Sequence, residues 1–294
     1  MTYKNAVLFW IICLTFGFTA IANGQNPEAY KLFDSKGKKA KYIKMMKELA
    51  DADVVMFGEL HDNTINHWLE FKVLESLHKA KGDKVIVGAE MFESDDQLLI
   101  DEYFSELISK KSFQKEARLW DEYKTDYRPL LEYAKTNNLQ FVATNIPRRY
   151  ASLVYKKGIN YLDSLSDEAK SYIAPLPIEI DLELPCYKNM MGMMKGHGGE
   201  NLPKSQAVKD ATMAYFILKN LKEEDIFIHY NGDYHSKNHE GIVWYLQQAN
   251  PDLKVVTIST VLQDDIEKLN EEFHNQADYI LCIPNDMTRS YTRD

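Results

Sequence analysis

The chain is poor in cysteine, with three in 294 residues. Cys13, Cys186 and Cys282 make no C-x-x-C pair and no Cys/His zinc spacing, which excludes a redox dithiol motif, a zinc ribbon and a small disulfide scaffold. Cys13 falls in an N-terminal apolar run, so two free thiols are expected in the body of the chain. Positive charge is also short. The 35 Lys and Arg against 44 Asp and Glu leave a formal charge of −9, which argues against a grip on the phosphate backbone of nucleic acid. Internal repeats and low-complexity tracts are missing, which sets aside solenoids and arrays. What is present is 45% hydrophobic, enough for a full core, and the length suits one large α/β domain or two small ones.

The first 24 residues read as a secretory signal peptide, with residues 25–294 as a single α/β domain. Lys4 precedes the apolar run from Ala6 to Phe18, and Ala20, Ala22 and Gly24 supply the small residues of a cleavage region. An uncleaved membrane anchor is the alternative on the same flanks. The reading implies an exported protein, periplasmic or associated with the cell envelope.

Six short apolar runs predict strands: Asp53–Phe57, Lys84–Ala89, Gln140–Thr144, Ile226–Tyr230, Lys254–Ser259 and Tyr279–Ile283. Most are continuously apolar, as strands buried on both faces are. Helical periodicity lies between them at Ile65–Lys79 (Thr64 as N-cap), Gln97–Ser109, Arg128–Thr136, Ser205–Asn220 and Glu240–Gln248. The alternation predicts a central, mostly parallel sheet flanked by helices. One segment breaks the rhythm: Asn160–Ser171 reads as helical, and Ile173–Pro203 as a long irregular insertion loop.

Ligands of open parallel sheets bind beyond the carboxyl ends of the strands, and polar groups gather there in this chain. The first run leads into Gly58-Glu59-Leu60-His61, the second into Glu90, the third into Asn145 and Arg148-Arg149, the fourth into Gly232-Asp233-Tyr234-His235. Two of these turns share one order: Gly, acid, bulky residue, His. Two histidines with carboxylates suit a divalent metal such as Zn, Mn or Fe, so Glu59, His61, Glu90 and His235 are the candidate metal-binding and catalytic residues. Asp62, Asn63 and Thr64 can equally be helix caps, and His67 and His239 read as solvated residues of helix first turns. Arg148 and Arg149 can pair with an anionic group or be ordinary surface charge. The insertion loop holds Met190, Met191, Met193 and Met194 beside Tyr187 and His197. Methionine supplies an adaptable apolar face, and Tyr or His an iron ligand. The simpler alternative is a mobile flap whose methionines fill gaps.

These motifs resemble the ChaN-like haem-binding uptake family, within the superfamily that includes Tiki-type metalloproteases, TraB and erythromycin-esterase-like proteins. The carriers are GELHDNTINH, VGAEMFESDDQ, DYRPLLEYAK, ATNIPRR, QAVKDATMAY and NGDYHSKNHEGIVWYL, in that order, across roughly Asp51 to Leu246. The resemblance implies an α/β core with catalytic or metal-binding residues at Glu59, His61, Glu90 and His235. It also implies haem as the cofactor and partner, on a homodimer, with a role in iron uptake through a membrane haem transporter. On that basis Tyr187 and His197 are the candidate iron ligands, and Arg148 and Arg149 the candidate partners of the propionates. The competing expectation is a metal-dependent hydrolase of ester or peptide bonds, in which Glu59 or Glu90 activates water. A third is a binding module that keeps the fold without activity.

Overall fold

The computed structural model describes residues 28–193 and 199–291, with the side chains of residues 192 and 193 left out. The expected signal peptide and His197 lie outside the described residues. Seven strands form one sheet: β1 (Lys31–Asp34), β2 (Val54–Glu59), β3 (Val85–Glu93), β4 (Gln140–Asn145), β5 (Ile226–Gly232), β6 (Val255–Gln263) and β7 (Tyr279–Pro284). Their order is β1-β7-β6-β2-β5-β3-β4. All neighbours are parallel except β1, which runs antiparallel to β7 at one edge. The six expected strands are all present, and β1 is an addition.

Successive residues of a strand face opposite sides of the sheet, and β2 feeds two cores in this way. Val55 and Phe57 pack with α1 (Tyr42–Ala50), α2 (Thr64–Lys81), α3 (Gln97–Phe104), α4 (Lys110–Glu116) and α5 (Arg128–Thr136). Val54 and Met56 pack on the other side with α9 (Asn201–Asn220) and α10 (Ile242–Ala249). Between α5 and α9 lie α6 (Arg148–Lys157), the short α7 (Asp167–Lys170) and α8 (Pro185–Met193). None of the helices among the described residues is long and apolar enough to cross a membrane.

Local chemistry explains where the elements differ from expectation. The cap of α2 is Asn63 rather than Thr64: its Oδ1 accepts from the backbone N–H of Ile65 at 3.0 Å and of Asn66 at 3.2 Å. The helix expected over Gln97–Ser109 stops at Phe104, because Glu106 turns left-handed at φ 60°. Ser109 then caps α4, its Oγ accepting from Ser112 N–H at 3.1 Å. The helical run expected at Asn160–Ser171 is a 3-10 turn (Ile159–Ser164) followed by α7. The long loop expected over Ile173–Pro203 is interrupted by α8, whose first residue is Pro185, and by the start of α9, which carries Pro203 in its first turn. Proline suits a helix start, where its missing N–H costs nothing, so these prolines mark helices rather than irregular chain. The cysteines follow expectation: Cys186 and Cys282 are buried and free.

Candidate functional site

β2, β5 and β3 are neighbours at the middle of the sheet, and all three deliver polar groups to one cleft at their carboxyl ends. The cleft has a volume of about 850 Å³. Its floor holds Glu59, Glu90 and Gly232, and its walls include His61, Met190, Gln206, Tyr234 and His235. β2 brings Glu59 opposite Gly232 of β5 in register. β3 runs four residues past its expected end at Ala89, and its pairing with β4 shifts between Ala89 and Glu93. Such irregularities re-aim side chains beside functional sites, and Glu90 sits inside this one. Asn145 at the end of β4 fixes it further, donating from Nδ2 to the Glu90 carbonyl oxygen at 2.9 Å.

Two acid–imidazole pairs meet over Gly232. In the first, His61 Nδ1 lies 2.7 Å from Glu59 Oε1, which also accepts from Tyr127 OH at 3.1 Å. Burial pushes the Glu59 carboxyl up, but the imidazoles of His61 and His67 beside it outweigh burial and hold the group well below the usual carboxylate range. Burial pulls His61 down, and the carboxylates of Glu59 and Glu90 more than reverse this. The His61 side chain remains 24% exposed, its ring edge-on to Trp120.

In the second pair, His235 Nε2 stands 3.2 Å from Glu90 Oε1, while Nδ1 bonds Asp210 Oδ1 on α9. Asp210 Oδ2 accepts in turn from Tyr187 OH at 2.7 Å. Burial disfavours the charged ring, but carboxylates on both nitrogens raise His235 to about 10. Gly232 N–H donates to Glu90 Oε2 at 2.8 Å, tying the floor together. The arrangement therefore offers one partly exposed imidazole backed by a carboxylate, and one buried imidazolium held between two acids. Three cations line the same cleft: Lys209, Lys237 and Arg289. Lys237 lies over the Tyr234 ring at 5.0 Å, and Arg289 pairs with Asp62 at 2.7 Å.

Residues 45–246 match the family described as haem-binding uptake, Tiki superfamily, ChaN. The chain belongs to the ChaN family. No curated protein matches it. Among solved structures, the haem-binding ChaN of Campylobacter jejuni is 19% identical, with a TM-score of 0.62 over 87% of this chain and 98% of that one. A succinoglycan biosynthesis protein is 10% identical, with a TM-score of 0.50 over 87% of this chain and 94% of that one. Both likenesses are of fold.

On this ChaN fold, Glu59, His61, Glu90 and His235 come together as one group. Among the described residues, the other named candidates, Tyr187, Arg148 and Arg149, do not join them. Tyr187 is fully buried, its hydroxyl committed to Asp210. As the third residue of α8 it points into the core behind His235, so it is a support for that ring and does not line the cleft. Arg148 and Arg149 open α6 at the surface and do not line the cleft either. Arg149 is spent on Asp95 at 2.5 Å. The cations that line the cleft are Lys209, Lys237 and Arg289 instead, brought there by α9, the turn after β5 and the C-terminal stretch. His67 is a second correction: it is not solvated but 8% exposed, lying against Glu59, Glu70 and Asp126. Helical spacing carries the signal. Asn63, Asn66, His67, Glu70, Val73, Leu74 and Leu77 form one buried stripe of α2 and its cap, so His67 and Glu70 share a face with core leucines. His239, by contrast, is part-exposed beside Asp278.

Proposed function

We propose that this ChaN-family protein binds haem in the cleft and serves haem or iron uptake as an exported protein of the cell envelope. The observation that carries this reading is the setting of His61. Its Nδ1 is fixed by the buried Glu59 carboxylate, and no hydrogen bond among the described residues reaches its Nε2. A ligating histidine typically has its other nitrogen held by a carboxylate in this way, which sets tautomer and ring orientation. The remaining surroundings fit a porphyrin. The volume lies in the upper range of cofactor pockets. Leu60, Met190 and Tyr234 give apolar surface, and Lys209, Lys237 and Arg289 match propionate charge. His61 would hold the iron, and the bound haem would be the cargo. Export rests on the N-terminal run from Ala6 to Phe18. A membrane haem transporter as the receiving partner, and a homodimer that places two haems face to face, complete the proposal.

Haemin titration of the purified protein tests it. A saturable Soret band that is lost or displaced in His61→Ala supports the assignment. An unchanged haemin spectrum with the parent protein would refute it.

A second reading is favoured by the buried pair. His235 between Glu90 and Asp210, facing His61–Glu59 across Gly232, places an acid and a base on one floor, as hydrolysis of an ester or peptide bond requires. Turnover of ester and peptide panels that disappears in Glu90→Gln would establish it, and no turnover with added Zn²⁺ or Mn²⁺ would remove it.

A further inference from the structure

Behind the His61 side of the cleft, away from the haem proposed there, lies a second cluster. His67 Nδ1 stands 3.1 Å from Glu59 Oε2 and 3.3 Å from Glu70 Oε2. The side chains of Glu59 and Glu70 have no exposed surface, and those of His67 and Asp126 are 7% and 6% exposed. One donor atom each from Glu59, His67 and Glu70 falls within 4.8 Å of the others.

Two features point to an occupant. The first is a concentration of orphans. Glu59 Oε2 and Glu70 Oε1 are both buried without a hydrogen-bond partner. Buried polar atoms in native proteins are nearly always partnered, and each exception needs a reason. Two in one cluster share one reason most simply. The second is the seat of His67. Its Nε2 lies 3.1 Å from the His61 carbonyl oxygen, which can only accept, and this bond turns Nδ1 toward the carboxylates of Glu59 and Glu70.

We propose that Glu59 Oε2, His67 Nδ1 and Glu70 form a binding site for one divalent transition-metal ion. Two carboxylates and one imidazole suit Mn²⁺, Fe²⁺ or Zn²⁺, with water completing the shell. The His61 carbonyl accepts from the far side of the His67 ring, as the partner of a metal-bound histidine does. The site differs from the set expected at Glu59, His61, Glu90 and His235, and shares only Glu59 with it. Through that residue it reaches the cleft: Oε2 faces the metal while Oε1 holds His61. The ion would thus set the carboxylate that orients the haem-facing imidazole.

The test is a titration of haem-free, metal-stripped protein with Mn²⁺ and with Zn²⁺, followed by calorimetry and by metal analysis after gel filtration. One ion per chain is expected. Binding at least tenfold weaker is expected in both His67→Gln and Glu70→Gln, the first retaining a donor near the His61 carbonyl. His235→Gln should bind as the parent does. If only the His235 variant loses the ion, the metal sits in the cleft and the proposal is overturned. If neither ion binds at millimolar concentration and nitrogen NMR finds both His67 nitrogens protonated at neutral pH, a proton occupies the cluster and the proposal is likewise overturned. Circular dichroism of the variants separates loss of the ion from loss of the fold. Haemin titration is run separately, so a failure here leaves the haem reading standing, and the reverse.

Discussion

The His61 ring occupies the space that a side chain at Gly232 would need: a Cβ built at Gly232 lies 2.7 Å from His61 Nε2 and 3.5 Å from Glu90 Oε2. Gly232 has φ −54° and ψ 136°, a conformation open to any residue. Contact, not backbone freedom, requires the glycine. Gly232→Ala is therefore expected to fold, losing about 1–3 kcal/mol as an overpacked site does. It should displace His61 and weaken haemin binding at least tenfold. Urea unfolding and a Soret titration on the same preparation check both halves. Haemin affinity equal to the parent's would show that His61 does not touch the ligand.

The Tyr187–Asp210–His235 chain makes a prediction about charge. Asp210 is one of two carboxylates that raise His235, so Asp210→Asn should bring its imidazole pKa down from about 10. A drop of one unit or more is expected in ligand-free protein, followed by imidazole NMR shifts against pH. An unmoved value would mean that Glu90 alone sustains the cation.

Asp233 gives a dependence on pH. Burial raises its carboxyl to about 6, although Ser259 and Thr260 donate to it. Between its unfolded value of 3.8 and about 6, the folded state holds a proton that the unfolded state has released. The native state is thus favoured by this group below that window and loses the advantage as pH rises through it. The loss is on the order of 3 kcal/mol when complete. Asp233→Asn keeps an acceptor for both donors and removes the charge. It should flatten the stability profile between pH 4 and about 6, and be no less stable than the parent at pH 7. Thermal melts across that interval decide it.

Leu74 tests the packing of α2 against the sheet. It is fully buried in the larger core cluster. Leu74→Ala should cost about 2–5 kcal/mol, by the transfer and cavity terms together. Denaturant unfolding reads this directly, and a loss under 1 kcal/mol would mean that the helix shifts to close the gap.

Much of this was readable from the chain because the signals were long or repeated. Six strands announced themselves as continuous apolar runs, and the two Gly-acid-bulky-His turns placed Glu59, His61 and His235 on one edge. β1 escaped because four residues with only Leu32 and Phe33 apolar carry no periodicity, and its pairing with β7 is remote in sequence. α8 escaped because prolines that start helices look, in sequence, like prolines that break them. The cationic lining was illegible for another reason. Lys209, Lys237 and Arg289 come from three separated segments, and only tertiary packing brings them to one cleft. Arg148-Arg149, adjacent and conspicuous, stand on the surface.

The sheet order carries one more consequence, for how the molecule comes into being. β5 lies between β2 and β3, yet it is the latest of the three along the chain. Glu59 and Glu90 therefore sit on strands that do not pair with each other and are joined only through residues 226–232 between them. A nascent or proteolysed chain ending before Ile226 would own both acids and still lack Gly232 and His235. Only a chain that has inserted β5 carries the complete cleft.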